Sequence, residues 1–466
     1  MPGILVPLAI VAAGCGGDAA PAAPEPNGHW ASEGYGMVLS VQDSTFSAYE
    51  VTQAACVPVP TTFARLADED GHRAYGEAGG EPALLLFPTP SGEGLQIHRP
   101  GTASDIVIRR IDSLPARCAS PPPSTPTAVL DHFIRTWEEQ YILFDQKPVD
   151  WAGLTAAARA KITDQATDLE LFETLRDLIL PFGDAHTGLA AGELGRVSGF
   201  RPGADAAIPG GIGAVRTRGR DWFVNEVLPD FFGTANRMAG PLERWCNDQL
   251  QAGTIAGTVR YLRILSFSGY ADGGYRGERR CLDDALDQVF ADTSGWRGLV
   301  IDVRVNFGGA DPLALGIAER LATAEYVAYS KEARADPADR TRWTPGQASL
   351  VRPSARPGYR GPVVELTGPI TISAGETFTQ ALMGRTPAIA RVGEHTQGVF
   401  SDVLSRRLPN GWQFWLPNEV FRTAEGATFD GPGIPPTDPA PVFAAADRRA
   451  GRDPALARAL ELLASQ

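Results

Sequence analysis

From residue 258 to its end, the chain alternates apolar segments of strand length with segments of helical periodicity. The strand-like segments are TVRYLRILSF, GLVIDVRV, GPVVELT and AIARVGE, and the helical ones are ERRCLDDALDQVFAD, PLALGIAERLAT and AGETFTQALMG. A strand followed by a helix, several times over, predicts an α/β domain with a largely parallel sheet. We therefore expect one layered α/β domain over residues 258–466.

Before residue 258, the chain contains regions that differ in amino-acid composition and in the spacing of their apolar residues. Residues 29–118 contain short alternating segments separated by Asp, Ser and Gly turns, which predicts a small all-β domain. A Pro-rich linker at 119–128 separates it from a helical lead-in subdomain at 129–190, where apolar residues recur at helical spacing. Residues 191–257 form an irregular connecting segment, in which DWFVNEV is strand-like.

The first 28 residues combine an apolar run with small residues, Cys15 and a flexible Pro/Ala/Gly-rich tether. This arrangement resembles a bacterial lipoprotein signal, in which Cys15 would be lipidated. The apolar run is shorter than the roughly 20 residues that a membrane-spanning helix needs. We expect an exported protein of the cell envelope, lipid-anchored or periplasmic, or an extracellular one, with membrane contact only through a lipid on Cys15.

Charge and cysteine content limit the possible partners and the compartment. With 42 basic and 55 acidic residues the net charge is −13, and no basic run stands out, which argues against a nucleic-acid partner. Four cysteines follow Cys15, an even number that suits disulfides in an oxidising compartment. The candidates are Cys56, Cys118, Cys246 and Cys281, with three possible pairings, and four buried free thiols remain the alternative.

The segment TISAGETF allows two interpretations of Ser373. Ser-Ala-Gly-Glu fits a capping box, in which the serine caps a new helix and the glutamate reaches back. The same serine lies where a strand enters a helix, so the positive end of the helix would face whatever reacts with its hydroxyl. Ser373 is therefore either a helix cap or a nucleophile.

A second loop, VNFGGAD, follows the strand GLVIDVRV at the same predicted edge of the sheet. Backbone N–H groups of Ala374 and of Gly308 or Gly309 could together stabilise an oxyanion, because glycine permits close approach. A simple tight turn is the alternative for the two glycines. Asp302 and Arg304 lie inside the strand, so we assign them to structure.

A nucleophilic serine requires a base. The chain has only three lysines, Lys147, Lys161 and Lys331, all before Ser373 and in polar contexts, which disfavours a lysine base. His186 is the preferred histidine because PFGDAHTGL places it in a glycine-containing loop just after a helix. The other histidines are His29, His72, His98, His132 and His395.

Five segments, PFGDAHTGL, GLVIDVRVNFGG, TISAGETF, ARVGEHTQG and FDGPGIPP, occur in this order. Together they resemble the tricorn-core and C-terminal-processing serine peptidases, the tail-specific protease superfamily, over about residues 128–440. The resemblance implies a crotonase-like αβα core and the Ser-His-acid branch, since Val399 stands where the other branch carries its lysine. Many relatives contain a PDZ module, and residues 191–257 show no clear one.

By this resemblance Ser373 is the nucleophile, His186 the general base, and Gly308 or Gly309 with Ala374 the oxyanion hole. Asp430 aligns with the family's third catalytic residue, a glutamate, and a turn-capping aspartate is the alternative. The implied reaction is hydrolysis of a peptide or protein substrate with no cofactor and no metal. A catalytically silent protein that binds an apolar ligand on the same fold is the alternative function, and an esterase is a third.

Overall fold

The computed structural model describes residues 25–199, 218 and 222–465. Cys15 and most of the predicted signal and tether lie outside the described residues, as does part of the 191–257 segment. Within the described ranges, no helix combines the length and the apolar character that crossing a bilayer requires.

The N-terminal part is an antiparallel, barrel-like sheet. Among the described residues it has nine strands, in the order β2-β1-β9-β8-β7-β6-β5-β3-β4, and a further β2–β3 pairing links the two ends. The strands are β1 (Gly28–Ser32), β2 (Met37–Val41), β3 (Thr45–Val51), β4 (Cys56–Pro58), β5 (Phe63–Arg65), β6 (Arg73–Gly76), β7 (Pro82–Pro88), β8 (Leu95–His98) and β9 (Ile106–Ile111). The expected all-β character of this region is confirmed.

Three helices follow the barrel-like sheet in the described chain: α1 (Pro126–Gln140), α2 (Trp151–Lys161) and α3 (Asp168–Ile179). Thr167 and Glu170 form a reciprocal capping box at the start of α3, which fixes where that helix begins. One continuous hydrophobic core contains Trp30 and Leu39 of the barrel-like sheet together with Phe133 and Trp137 of α1. The sheet and the helices therefore pack as one body.

A mixed sheet forms the centre of the C-terminal part, in the order β12-β13-β14-β15-β19-β21-β25. Its described strands are β12 (Glu243–Trp245), β13 (Leu250–Ile255), β14 (Val259–Ile264), β15 (Gly298–Asp302), β19 (Val363–Thr367), β21 (Ala390–Gly393) and β25 (Asp438–Pro439). The run from β14 to β25 is parallel and β12–β14 is antiparallel. The predicted largely parallel sheet is therefore present, with an antiparallel extension at one edge.

Helices cover both faces of this sheet. Leu299 and Ile301 belong to a core shared with α6 (Gly274–Val289), α7 (Asp311–Leu321) and α8 (Ala374–Met383), whereas Val300 belongs to a second core on the other face. Because successive strand residues point to opposite faces, this division follows from the apolar sequence of β15. The second core includes residues of α4 (Leu228–Phe231), α5 (Gly233–Ala239) and α10 (Pro454–Ala464). A short helix, α9 (Ala445–Arg449), precedes α10 in the chain.

Three small sheets complete the described chain. β11-β10-β23-β22 is antiparallel, β16-β20 is a parallel pair, and β18-β17-β24 is antiparallel. The strands are β10 (Gly188–Ala190), β11 (Arg196–Ser198), β16 (Val305–Asn306), β17 (Tyr326–Ala333), β18 (Gln347–Val351), β20 (Ile370–Thr371), β22 (Val403–Arg407), β23 (Gln413–Pro417) and β24 (Glu419–Arg422).

The strand-like interpretation of DWFVNEV is wrong. Residues Phe223–Val227 form a π-helical turn that leads into α4. Phe223 and Val227 are buried four residues apart, while Val224 is 42% exposed. Apolar residues at this spacing share one face of a helix, a pattern that so short a segment does not distinguish from strand alternation.

Both disulfides are present, in the sequential pairing. Cys56 of β4 is bonded to Cys118, with a Cα–Cα distance of 5.0 Å, and Cys246 is bonded to Cys281 of α6, with a Cα–Cα distance of 5.8 Å. The first closes a loop within the N-terminal region and the second joins the β12–β13 turn to a helix on the sheet. Bridges of this kind lower the conformational entropy of the unfolded chain.

Candidate active site

Ser373 connects β20 to α8 in a conformation that helix caps do not ordinarily adopt. Its φ and ψ are 56° and −121°, whereas a capping residue usually has extended dihedrals. The N–H of Glu376 donates to the Ser373 carbonyl at 2.7 Å, and the Glu376 carboxylate accepts the Ser373 N–H, so the glutamate reaches back as in the predicted capping box. Positive φ at a non-glycine residue is strained and recurs at functional sites. The positive φ of Ser373 therefore distinguishes this turn from an ordinary helix cap.

The buried Glu376 side chain stabilises this turn by hydrogen bonds to backbone N–H groups. Its carboxylate accepts the backbone N–H of Ser373 at 3.3 Å, of Gly398 at 2.6 Å and of Val399 at 2.8 Å. The side chain is fully buried, and burial raises its pKa to about 7 against the effect of these hydrogen bonds. Glu376 thus ties the serine turn to the segment that begins at Gly398.

The two predicted loops lie side by side. β16 and β20 pair in parallel, with Asn306 opposite Thr371, so their continuations meet. A Cβ added to Gly308 would lie 2.6 Å from the Cβ of Ser373, which shows how closely the glycine loop approaches the serine. The structure therefore brings Gly308, Gly309, Ser373 and Ala374 together.

The two glycines differ in what their N–H groups do. The Gly308 N–H donates to the Asn306 side chain at 2.9 Å, and its carbonyl accepts from Phe267 N at 2.7 Å. Gly309 has φ of 139°, and a Cβ there would lie 2.2 Å from the Phe267 carbonyl oxygen. In this arrangement Gly309 and Ala374 are better placed than Gly308 to offer free N–H groups to an oxyanion.

His186 is buried in the loop that follows α3. Its backbone N–H donates to the Asp184 carboxylate at 2.9 Å, and Asp184 also accepts the Tyr141 hydroxyl at 3.2 Å. Burial lowers the pKa of His186, opposed by the charges of Asp184 and Asp402 and by a hydrogen bond with the Ser401 backbone. The imidazole is thereby kept neutral, the form in which it accepts a proton.

Asp430 lies between the serine turn and the histidine loop. It is 2% exposed, and one carboxyl oxygen accepts the Phe400 N–H at 3.5 Å. Burial, with the nearby charges of Asp184 and Glu376, raises its pKa well above the ordinary value. The main carboxylate charges acting on His186 are those of Asp184 and Asp402, so the role of Asp430 as third catalytic residue stays a prediction.

Residues 397–402 link the components of the site. Gln397 N donates to the Thr371 carbonyl at 3.0 Å, Gly398 and Val399 bind Glu376, and Phe400 binds Asp430. The following Asp402 acts electrostatically on His186. A single short segment therefore contacts the serine turn at one end and the histidine at the other.

Sequence reasoning missed a buried ionic group beside His186. Lys331 of β17 is 4% exposed and lies 2.6 Å from the Asp402 carboxylate and 3.3 Å from that of Glu419. Burial lowers the pKa of Lys331, but these two carboxylates outweigh it and the net shift is upward. The lysine is therefore protonated at neutral pH. Its partners lie 71 and 88 positions away, with no motif to signal them.

Asp311, at the start of α7, lies close enough to Asp402 for the charge of Asp402 to act on it. It is 5% exposed and accepts the Thr377 hydroxyl of α8 at 2.7 Å. Burial, together with the charge of Asp402, raises the pKa of Asp311 to about 7. This contact fixes α8, the helix that begins directly after Ser373.

The other residues that the sequence analysis named lie in the following environments. Arg304 makes paired hydrogen bonds to buried Asp302 and to partly buried Asp453, in agreement with a structural assignment. His98 contacts Asp105 at 2.9 Å, His132 is buried in α1, and His395 is exposed. The described residues contain no group of three or more side chains arranged to hold a metal ion.

The chain is similar to known peptidases in part of its sequence and in its fold. Residues 258–439 match the model of peptidase family S41. A candidate peptidase from Parabacteroides merdae has the same fold, with a TM-score of 0.59 and 22% identity over 73% of this chain and 97% of that one. Mature CPAF in complex with lactacystin gives a TM-score of 0.51 and 13% identity over 73% and 97% of the two chains. No curated protein matches the chain significantly.

The family match over residues 258–439 indicates the class of protein, a peptidase. More particularly, the chain carries a domain of peptidase family S41, the tail-specific protease family, and is a serine-type peptidase.

Proposed function

We propose that the protein hydrolyses peptide bonds by a Ser-His mechanism, with Ser373 as nucleophile and His186 as general base, on a crotonase-like layered core. The observation that carries this assignment is the strained Ser373 turn, with the Gly308–Gly309 backbone packed against it. Strain of this kind persists only where the surrounding structure enforces it, as Glu376 does here.

The proposed reaction is an acyl transfer in which each group has one role. Ser373 Oγ attacks the carbonyl carbon of the scissile bond while His186 takes the hydroxyl proton. The negative charge that develops on the carbonyl oxygen is stabilised by the N–H groups of Ala374 and Gly309. His186 then gives its proton to the leaving amine, and water, activated by the same imidazole, hydrolyses the acyl-enzyme.

Asp430 would be the third member of the site. Its second carboxyl oxygen and Nδ1 of His186 are both buried, without a hydrogen-bond partner among the described residues. Buried polar atoms without partners are costly, so a rearrangement on substrate binding that pairs them would be favourable. Through that pairing Asp430 would orient His186 and stabilise the imidazolium.

Export to the cell envelope or the extracellular space, with lipidation of Cys15, is part of the same proposal. The two disulfides support it, because such bonds persist in oxidising compartments.

Labelling with a fluorophosphonate probe tests the nucleophile. We expect the folded protein to be labelled and Ser373→Ala to lose both labelling and peptide hydrolysis, while His186→Gln slows both by at least about 10³-fold. Ser405→Ala is the matched control because Ser405 is exposed on β22. A folded protein that is not labelled would favour the apolar-ligand-binding alternative, and turnover of esters without peptides would favour the esterase.

A further inference from the structure

A small cavity of about 100 Å³ lies where the segment after α1, the β17–β18 connection and β24 meet. Its wall includes Tyr141 after α1, Arg334 after β17 and Thr428 after β24. Neither Ser373 nor His186 is among the described residues of this wall, so the cavity is separate from the candidate active site. Since one water molecule takes up about 30 Å³ of liquid, the cavity has room for a few waters or for one small ion.

Arg334 gives this cavity the character of a binding site. The side chain is 3% exposed, and its Nη1 donates to the Tyr141 carbonyl at 2.6 Å. Its Nε and Nη2 have no hydrogen-bond partner among the described residues. These two nitrogens form one edge of the planar guanidinium, the edge that binds two oxygens of one anion. Buried donors without acceptors are costly, and the cost is larger on a charged group, so a ligand with acceptor oxygens would be favoured there.

The nearby carboxylates do not occupy this edge of Arg334. The charges of Asp145 and Asp339 act on Arg334, but neither accepts a hydrogen bond from Nε or Nη2. Asp145 is exposed, and the Asp339 carboxylate accepts the N–H and the hydroxyl of Thr341 at 2.9 and 2.6 Å. Burial and the charge of Arg340 outweigh both carboxylates and lower the pKa of Arg334 to about 10. The charge balance at Arg334 therefore still favours a further anion.

Arg340 is a second cation at the cavity. It is exposed, and its guanidinium lies 4.3 Å from the ring centre of Phe144, another residue of the wall. The third arginine of the described wall, Arg422, is paired with Glu332 at 2.8 Å. Arg334 on the inside and Arg340 at the surface are thus two cations for one bound anion.

Two residues of the wall also contact the candidate active site. Tyr141, whose carbonyl binds Arg334, donates its hydroxyl to Asp184 at 3.2 Å. The Thr428 hydroxyl accepts the N–H of Asp430 at 3.1 Å. An anion bound in the cavity would therefore stabilise the segments that carry Asp184 and Asp430.

We propose that this cavity binds a small inorganic oxyanion, of the phosphate or sulfate class, with Arg334 as its main ligand and Arg340 as the second. Arginine suits this role because its guanidinium offers parallel N–H donors that match two oxygens of such an ion. The volume suits a free ion, and binding does not depend on the proposed peptidase reaction.

Isothermal titration calorimetry of the full chain, with sodium phosphate and separately with sodium sulfate at constant ionic strength, tests this site. We expect at least one of the two ions to bind with one ion per chain, and to raise the urea midpoint, because a ligand of the folded state stabilises it. Arg334→Gln should weaken that binding by at least about tenfold, since it removes charge-assisted hydrogen bonds. Binding of neither ion with a Kd below about 10 mM would overturn the proposal, and the cavity would then be a water site.

Arg342→Gln is the matched control. Arg342 is an exposed arginine of the same β17–β18 connection, lies outside the described wall and is paired with Asp336 at 3.1 Å. Because both variants remove one positive charge, equal weakening in the two would show a general charge effect and contradict the assignment. If Arg334→Gln does not fold, Arg340→Gln at the surface takes its place and should weaken binding about threefold, as expected for an exposed ionic contact. Equal binding by Arg340→Gln and Arg342→Gln would then refute the site.

Discussion

At the scale of single residues, backbone geometry matters as much as side-chain chemistry in this site. Ser373 and Gly308 both have positive φ, 56° and 76°, but only the glycine adopts such a conformation without strain. The serine is held in it by contacts on both sides. The proposed reactivity therefore depends on residues that take no part in the reaction.

Gly308→Ala should disable the site. The new Cβ would lie 2.6 Å from Ser373 Cβ and 3.0 Å from the Ile372 carbonyl oxygen, so the serine turn has to move. We expect kcat/KM for a peptide substrate to fall by about 10²-fold, the effect of a misplacement near 1 Å. Gly411→Ala is the control, since Gly411 has φ of 89° and nothing within 4 Å. Equal activity of the two variants would contradict the close packing described here.

At the scale of secondary-structure elements, α1 carries an ionisable side chain that is almost completely removed from water. His132 is 5% exposed, and its ring lies near the Arg407 backbone and the Arg406 guanidinium. Burial, and secondarily the charge of Arg406, lower the pKa of His132 from 6.5 to about 4. The helix therefore packs well only with a neutral imidazole.

This depressed pKa makes folding dependent on pH. Below pH 6.5 the unfolded chain binds a proton at His132 that the folded chain does not. The free energy of unfolding is therefore highest, as far as His132 determines it, above pH 6.5, and it decreases as the pH falls towards 4. At pH 5 the loss is roughly 2 kcal/mol. His132→Gln should lose correspondingly less stability between pH 7.5 and pH 5, measured by urea unfolding. Exposed His395→Gln should behave as the unaltered protein does, and identical pH dependence of both variants would refute this account.

At the scale of the whole molecule, the N-terminal barrel-like sheet is connected to the proposed active site by buried polar contacts. The Tyr35 hydroxyl donates to Glu419 at 2.6 Å, Glu419 lies 3.3 Å from Lys331, and Lys331 lies 2.6 Å from Asp402, beside His186. The same sheet shares a hydrophobic core with α1. The barrel-like sheet therefore helps to stabilise the C-terminal part of the chain, which contains the peptidase domain.

Tyr35→Phe tests this connection. Removing the hydroxyl leaves the Glu419 carboxylate, 2% exposed, with one donor fewer, at a cost of roughly 1.5–3 kcal/mol. Because the core is continuous, we expect that loss in one cooperative urea transition rather than in a separate early one. Tyr49→Phe is the control, since no side-chain hydrogen bond of Tyr49 is found among the described residues. Equal stability of the two variants, or early unfolding of the sheet alone, would contradict the expectation.

The sequence alone was sufficient for what is encoded locally. Strand–helix alternation after residue 258 predicted the central sheet, and the position of Ser373 between an apolar strand and a helix predicted the turn where it lies. The Gly308–Gly309 pair indicated close backbone approach, which follows because glycine lacks a Cβ. These properties depend on residues within a few positions of one another.

Only the tertiary structure decided which distant residues share a buried volume. The Lys331–Asp402–Glu419 group and the common core of the barrel-like sheet and α1 both depend on contacts between residues far apart in sequence. The same holds for the helical conformation of Phe223–Val227, which packs against the sheet. The energy of a charge or an apolar side chain is set by the groups that replace water around it, and a linear sequence does not specify those groups.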